Sequence, residues 1–202
     1  MALATTTLKT PGLANTGVFL FIGLLAVCVT GCATSNLYQK QSSYADYPAL
    51  FYIQGVPFFP QEEFQCGPSV LAGVLNFFGY KIVPEDVSGA IYLDSIEGTL
   101  KMDMVNYAKR YEDGGRIHVS EVQGDIELIK KDVSEGHPII VFVDLGIWEF
   151  RKGHYMLIVG YDDNQGGIIV YSGVKRDKLI TYNRFLKMWK RGGYWALRVI
   201  PD

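Results

Sequence analysis

Cysteine is scarce in this chain. Three occur in 202 residues, at positions 28, 32 and 66, too few for the disulfide framework that staples small secreted domains. Histidine is as scarce, also with three. No group of Cys and His stands at metal-ligand spacing, so neither a metal nor another cofactor is expected. Charge of one sign is missing too. The 19 Lys and Arg against 21 Asp and Glu leave a formal net charge of −2, which gives no reason to expect nucleic acid or an acidic membrane surface as a partner. There are no heptads, internal repeats or low-complexity tracts. The longest apolar run, "GVFLFIGLLAVCVTGCA" from Gly17 to Ala33, is short of the roughly 20 apolar residues that a spanning helix needs. What is present is 49% hydrophobic residues, enough to bury one core, and a single domain is expected.

The apolar run follows one basic residue, Lys9, and ends in small residues, as a secretory h-region does. Its last four residues, Val29-Thr30-Gly31-Cys32, resemble a bacterial lipobox. That resemblance implies that Cys32 is acylated and becomes the first residue of the mature chain; an uncleaved signal anchor is the alternative. The expected division is a signal peptide over 1–32, a polar tether over 33–52 and a folded domain over 53–202. A lipid anchor would put the protein in a bacterial cell envelope. Ala33 is not the aspartate of inner-membrane retention, so the periplasmic face of an outer membrane is favoured where the host has one. With Cys28 cleaved away and Cys32 lipidated, Cys66 is a thiol without a partner, which marks it as reactive.

In "QEEFQCGPSVLAGVLNFFG" (61–79), the apolar positions Val70, Leu71, Val74, Leu75 and Phe78 recur at helical spacing. Pro68 suits a first turn and Gly79 a stop. Cys66 therefore falls at a helix start, where exposed N–H groups and the dipole favour a thiolate and lower the thiol pKa. A second helix is expected in "GTLKMDMVNYAKRYEDGG", capped by Thr99 with Leu100, Met104 and Tyr111 inward. A third is expected in "DIELIKKDVSEGH", capped by Asp125 and stopped by Gly136. Then the pattern changes to β-branched and aromatic runs bounded by turn residues: 138–146, 154–162, 167–173 and 193–201, with a short helix in "TYNRFLKMWKRGG". Helices followed by a mostly antiparallel sheet define an α+β fold.

Thiol catalysis needs a thiolate, an imidazole and an oxyanion donor. His118 lies in a strand pattern and His137 in a loop, so both read as structural. His154 opens the strand "HYMLIVGY", where it can face a cleft. Gln61 carries an amide donor a short reach upstream of Cys66, whose own backbone N–H would be the companion donor. Together these residues resemble the C39 family of papain-like peptidases. The blocks "VPFFPQEEFQCGPSVLAGVLNFFG", "EGHPIIVFVDLG" and "GHYMLIVGYDD" are similar to that family's nucleophile, core-strand and histidine blocks. The resemblance spans about residues 54–200 and implies a papain-like fold, with Cys66 as nucleophile, His154 as base then acid, and Gln61 at the oxyanion. No transporter segment accompanies it, so the chain is most similar to free-standing, exported C39-like lipoproteins that act on a peptide or protein substrate.

One position departs from the family pattern. Where the family usually has an aspartate behind the histidine, this chain has Ser172 and Gly173. Asp162 and Asp163 are no substitutes: eight residues of strand at about 3.3 Å each put Asp162 roughly 25 Å from the imidazole. They read as turn formers beside Asn164 and Gly166. Ser172 or the Gly173 carbonyl is expected to take the third place. Two rivals to a peptidase stay open: a peptide-binding module that has lost turnover, and a thiol amidase or acyltransferase, whose nucleophile and base would be the same.

Overall fold

The computed structural model describes residues 47–60 and 65–202; the expected signal peptide, Cys32, most of the expected tether and Gln61 lie outside the described residues. Three residues assigned to the tether belong to the domain. Leu50–Tyr52 form strand β1, which pairs antiparallel with residues 160–162.

Helix α1 (Cys66–Phe77) begins at the cysteine and is followed by Gly79 in the left-handed region (φ +88°). It is buried from Gly67 to Leu75, small residues included. The sequence pattern showed one apolar face; the helix is covered all round, packed against α2 (Pro84–Ile91), α3 (Lys101–Lys109) and the sheet. Alanine at Gly73 would bring a Cβ within 3.0 Å of the Pro57 carbonyl oxygen, so the helix lies as close to the 53–60 segment as backbones allow. α2 escaped the sequence reading because its eight residues carry too short a pattern to register.

The start of α3 differs from expectation. Its N-cap is Leu100, not Thr99, and no side chain caps it. Leu100 has extended dihedrals and is exposed, because a cap residue precedes the helical spiral and need not lie on its buried stripe. Met104 is buried as expected. Helix α4 (Ile126–Ser134) begins as expected, with Asp125 accepting the Leu128 N–H at 2.8 Å, and Gly136 stops it at φ +85°.

The sheet runs β2 (Ile117–Gln123), β7 (Trp195–Pro201), β3 (Ile139–Asp144), β4 (Gly153–Asp162), β5 (Gly167–Ser172), β6 (Lys175–Thr181), all antiparallel. Helix α5 (Tyr182–Arg191) links β6 to β7 and buries Phe185, Met188 and Trp189. β4 is the central strand. Its first half pairs with β3 and its second half with β1, while β5 runs along the other side with a bulge between Ile158 and Gly160. Gly160 is required there: a Cβ would meet the Phe51 carbonyl oxygen at 2.7 Å. β6, "KRDKLIT", has no apolar alternation to reveal it and is a strand by its pairing to β5.

Candidate active site

Cys66 is the first residue of α1, with Gln65 preceding the helix and accepting its first bond from Ser69 at 3.1 Å. The next two residues explain themselves. A Cβ on Gly67 would sit 3.1 Å from Met104 Sδ and 3.2 Å from Thr99 Cβ, so the helix start is jammed against the α3 entry. Pro68 has no N–H to leave unpaired in the first turn. The thiol points at the sheet, where Sγ accepts the backbone N–H of Tyr155 at 3.5 Å.

That bond places Cys66 beside the residue after His154. His154 Nε2 lies 3.0 Å from Ser172 Oγ, in the register of a hairpin whose arms pair Leu157 with Tyr171. Ser172 is buried. Cys66, His154 and Ser172 line one cavity of about 640 Å³, with apolar walls at Ile96, Leu100, Phe142 and Leu145. The structure thus brings three of the four expected catalytic residues together. Gln61, the fourth, falls outside the described residues.

The electrostatics differ from the helix-start argument. Burial pushes the Cys66 thiol up; the N–H groups of Tyr155, Gly67 and Cys66, and Lys152, oppose it without winning. Desolvation, with Lys178 and Lys152 adding to it, brings His154 down to about 4. Both shifts favour the neutral form of their group. A helix terminus acts within one turn, whereas desolvation sums over everything that covers the group.

The two turn carboxylates are engaged elsewhere. Asp162 accepts the Gln165 N–H at 3.1 Å and its Nε2–H at 2.5 Å. Asp163 accepts from Lys130 Nζ at 2.7 Å and from the Tyr182 hydroxyl at 2.6 Å. Both stand at the turn end of β4, away from the histidine. His118 lies 3.3 Å from Glu112 on the surface, and His137 is 3.7 Å from Glu135. Asp132, near that pair, accepts from Nε and Nη2 of the Arg198 guanidinium at 2.6 and 2.7 Å.

Sequence reasoning missed several contributors to the site. Tyr155 supplies its N–H to the thiol, and its hydroxyl donates to the Thr99 carbonyl at 3.0 Å. Thr99 Oγ1, buried in the cavity wall, has no hydrogen-bond partner among the described residues. Lys152 was legible two residues before His154. Lys178 reaches the site only because β6 folds back beside β5.

Residues 53–197 match the family model described as Peptidase_C39 like family. The chain belongs to that family. No curated protein matches it. Among solved structures, the C39-like fold recurs in a C39-like peptidase from Bacillus anthracis, at 17% identity and TM-score 0.62 over 76% of this chain and 98% of that one. The peptidase domain of Streptococcus ComA, a bifunctional ABC transporter involved in quorum sensing, is 22% identical, with TM-score 0.58 over 73% and 100%. A double glycine motif protease from an AMS/PCAT transporter, solved with its leader peptide, is 19% identical, with TM-score 0.58 over 75% and 95%. At these identities the neighbours establish the fold. The Peptidase_C39 like membership and that α+β fold together support a cysteine-peptidase type of function.

Proposed function

We propose that this C39-like protein hydrolyses peptide bonds through an acyl-thioenzyme. The carrying observation is the cavity shared by Cys66, His154 and Ser172, with Cys66 at the buried start of α1. With Ser172 Oγ accepting the Nε2–H of His154, the lone pair of Nδ1 is left for the thiol proton. In this reading proton transfer accompanies attack: His154 takes the Cys66 proton as Sγ adds to the substrate carbonyl. The oxyanion is met by the Cys66 backbone N–H and, in this reading, by the Gln61 amide. His154 then gives its proton to the departing amine, the C–N bond breaks, and water releases the acid from the thioester. The same chain is exported and anchored in the envelope by acylated Cys32, a reading that rests on the lipobox-like residues.

Incubation of the protein with a mixed peptide library, followed by mass spectrometry, tests the activity. Cleavage is expected with wild type and none with Cys66→Ala, while a peptidyl vinyl sulfone should add to Cys66. Cleavage by Cys66→Ala, or a wild type that neither cleaves nor is acylated, would overturn the proposal. A second reading is favoured by the hydroxyl behind His154: a neutral acceptor supports an imidazolium less than a carboxylate does. A protein that binds peptides on this cleft and turns over poorly would take the vinyl sulfone yet release no product. Anchoring is tested separately, since Cys32→Ser should leave a longer precursor without acyl label.

A further inference from the structure

The connection from β3 to β4 carries large apolar side chains into solvent. Ile147, Trp148 and Phe150 are 70%, 96% and 84% exposed, although the loop that holds them is built, not loose. Asp144 Oδ1 accepts the N–H groups of Gly146 at 2.8 Å and Lys152 at 2.9 Å, and the Leu145 N–H bonds the Lys152 carbonyl. Gly146 admits no side chain, since a Cβ would lie 1.8 Å from the Phe150 carbonyl oxygen. Water contact at three neighbouring large apolar side chains is costly and marks a contact surface.

The charge around this tip says what it contacts. Arg184, Lys187 and Arg191 form one stripe of α5 and line, with Ile147 and Trp148, a groove of about 550 Å³ that contains no carboxylate. Arg191 is fastened to the loop's base, donating to the Asp144 carbonyl at 2.6 Å. Arg151 and Lys152 follow the tip directly. Residues 144–152 and 181–191 hold six of the chain's 19 basic residues, namely Arg151, Lys152, Arg184, Lys187, Lys190 and Arg191, and two of its 21 acidic ones, Glu149 and the buried Asp144, whose carboxylate lies 4.0 Å from Arg191. A net-acidic chain thus places nearly a third of its cations around the most exposed apolar tip among its described residues.

We propose that the 145–152 loop and the basic stripe of α5 dock on an anionic phospholipid bilayer. Trp148, Ile147 and Phe150 enter the headgroup–acyl boundary, and the Arg and Lys groups pair with lipid phosphates. Tryptophan favours that boundary because its ring is apolar and its N–H polar. Tips and amphipathic faces of this kind bury themselves roughly 5–10 Å deep, assisted by cations toward anionic lipid. A peptide would use the groove differently, lying in it and leaving the outermost ring in water. The surface is independent of any lipid on Cys32 and of the reaction at Cys66. Its consequence is orientation: Leu145, Arg151 and Lys152 also line the Cys66 cavity, so a docked loop brings the cleft mouth to the bilayer surface.

Trp148 reports on itself, because the other two tryptophans, Trp189 and Trp195, are 0% and 5% exposed. The full chain is reconstituted into vesicles of phosphatidylcholine alone or mixed with phosphatidylglycerol, each with and without brominated acyl chains. The Trp148 signal is taken as wild type minus Trp148→Phe. In phosphatidylglycerol vesicles that signal should shift to the blue and be quenched by brominated lipid; in phosphatidylcholine it should stay quenchable by aqueous acrylamide. R184Q/K187Q should need a severalfold higher phosphatidylglycerol fraction for half quenching, since each basic group near an anionic surface is worth about a factor of five. A Trp148 that remains in water on both vesicles overturns the proposal. So does equal quenching on both, or protection that requires added peptide and ignores the lipid.

Discussion

The β4–β5 hairpin has two ends that share strands and solve opposite problems. At the turn, Asp162 and Asp163 are satisfied by Gln165, Lys130 and Tyr182, and those bonds hold both carboxyls below their usual range against the effect of burial. At the open end, His154 has the Ser172 hydroxyl beside it, and burial, with the charges of Lys178 and Lys152 adding to it, pushes it toward neutrality. Among the described residues, two acidic groups shape the turn and no hydrogen bond ties a carboxylate to the imidazole, whose partner is Ser172. Chemistry is placed where a polar group is left under-supported, and structure where every polar group is matched.

The sharpest way to break this contrast is to remove the imidazole. His154→Ala should lower peptide turnover about 10²–10⁴-fold while leaving the melting temperature nearly unchanged, measured by product release and by thermal unfolding. If turnover survives in a folded variant, the open end is not the reactive one.

Next in size is Gly160→Ala, at the bulge between the two ends. Its Cβ would press on the Phe51 carbonyl, a backbone atom that cannot turn aside, so a loss of roughly 1–3 kcal/mol in denaturant unfolding is expected. Turnover per folded molecule should hold. A collapse of turnover in the folded fraction would show that the two ends are not independent.

Smaller effects come from Ser172. Ser172→Ala removes one neutral hydrogen bond, worth about 0.5–1.5 kcal/mol, so turnover should fall about two- to twelvefold. Ser172→Asp places a carboxylate behind the imidazole and should raise the His154 pKa from about 4. The acid limb of the pH–rate profile should move up with it. Stability carries the same sign. In the wild type the unfolded histidine binds its proton near 6.5 and the folded one near 4, so this contribution is present above pH 6.5 and lost as pH falls toward 4. Melting curves over that window should show the loss in wild type, less of it in Ser172→Asp, and none of it in His154→Ala.

The smallest effect is expected at the turn. Asp162→Ala should leave kcat and KM as they are, although it frees Gln165. Abolished turnover there, with Ser172→Ala silent, would reverse the roles of the two ends.

Much of this contrast was legible before any fold was known. Counting strand residues back from the Asp162–Gly166 turn put the end of the returning arm, Ser172 or the Gly173 carbonyl, beside His154, because an antiparallel hairpin has a fixed rise and a register set by its turn. The Asp125 cap, the Gly79 and Gly136 stops and the helix start at Cys66 were equally readable, each resting on a side chain and a backbone a few residues apart. The start of α3 was misread. Thr99 is the better capping type, yet its carbonyl is committed to Tyr155 and its hydroxyl packs against the start of α1.

The sequence by itself determined where elements begin, how the hairpin turns, and that one thiol and one imidazole stand at the heads of a helix and a strand. Those are short-range properties, decided by spacing of 2.0 or 3.6 residues and by turn chemistry. Only the tertiary structure decided that Leu50–Tyr52 and Lys175–Thr181 are strands, since each exists through its partner. It also decided that the Cys66 thiol is pushed up, because covering by distant parts of the chain outweighs the N–H groups its own helix supplies.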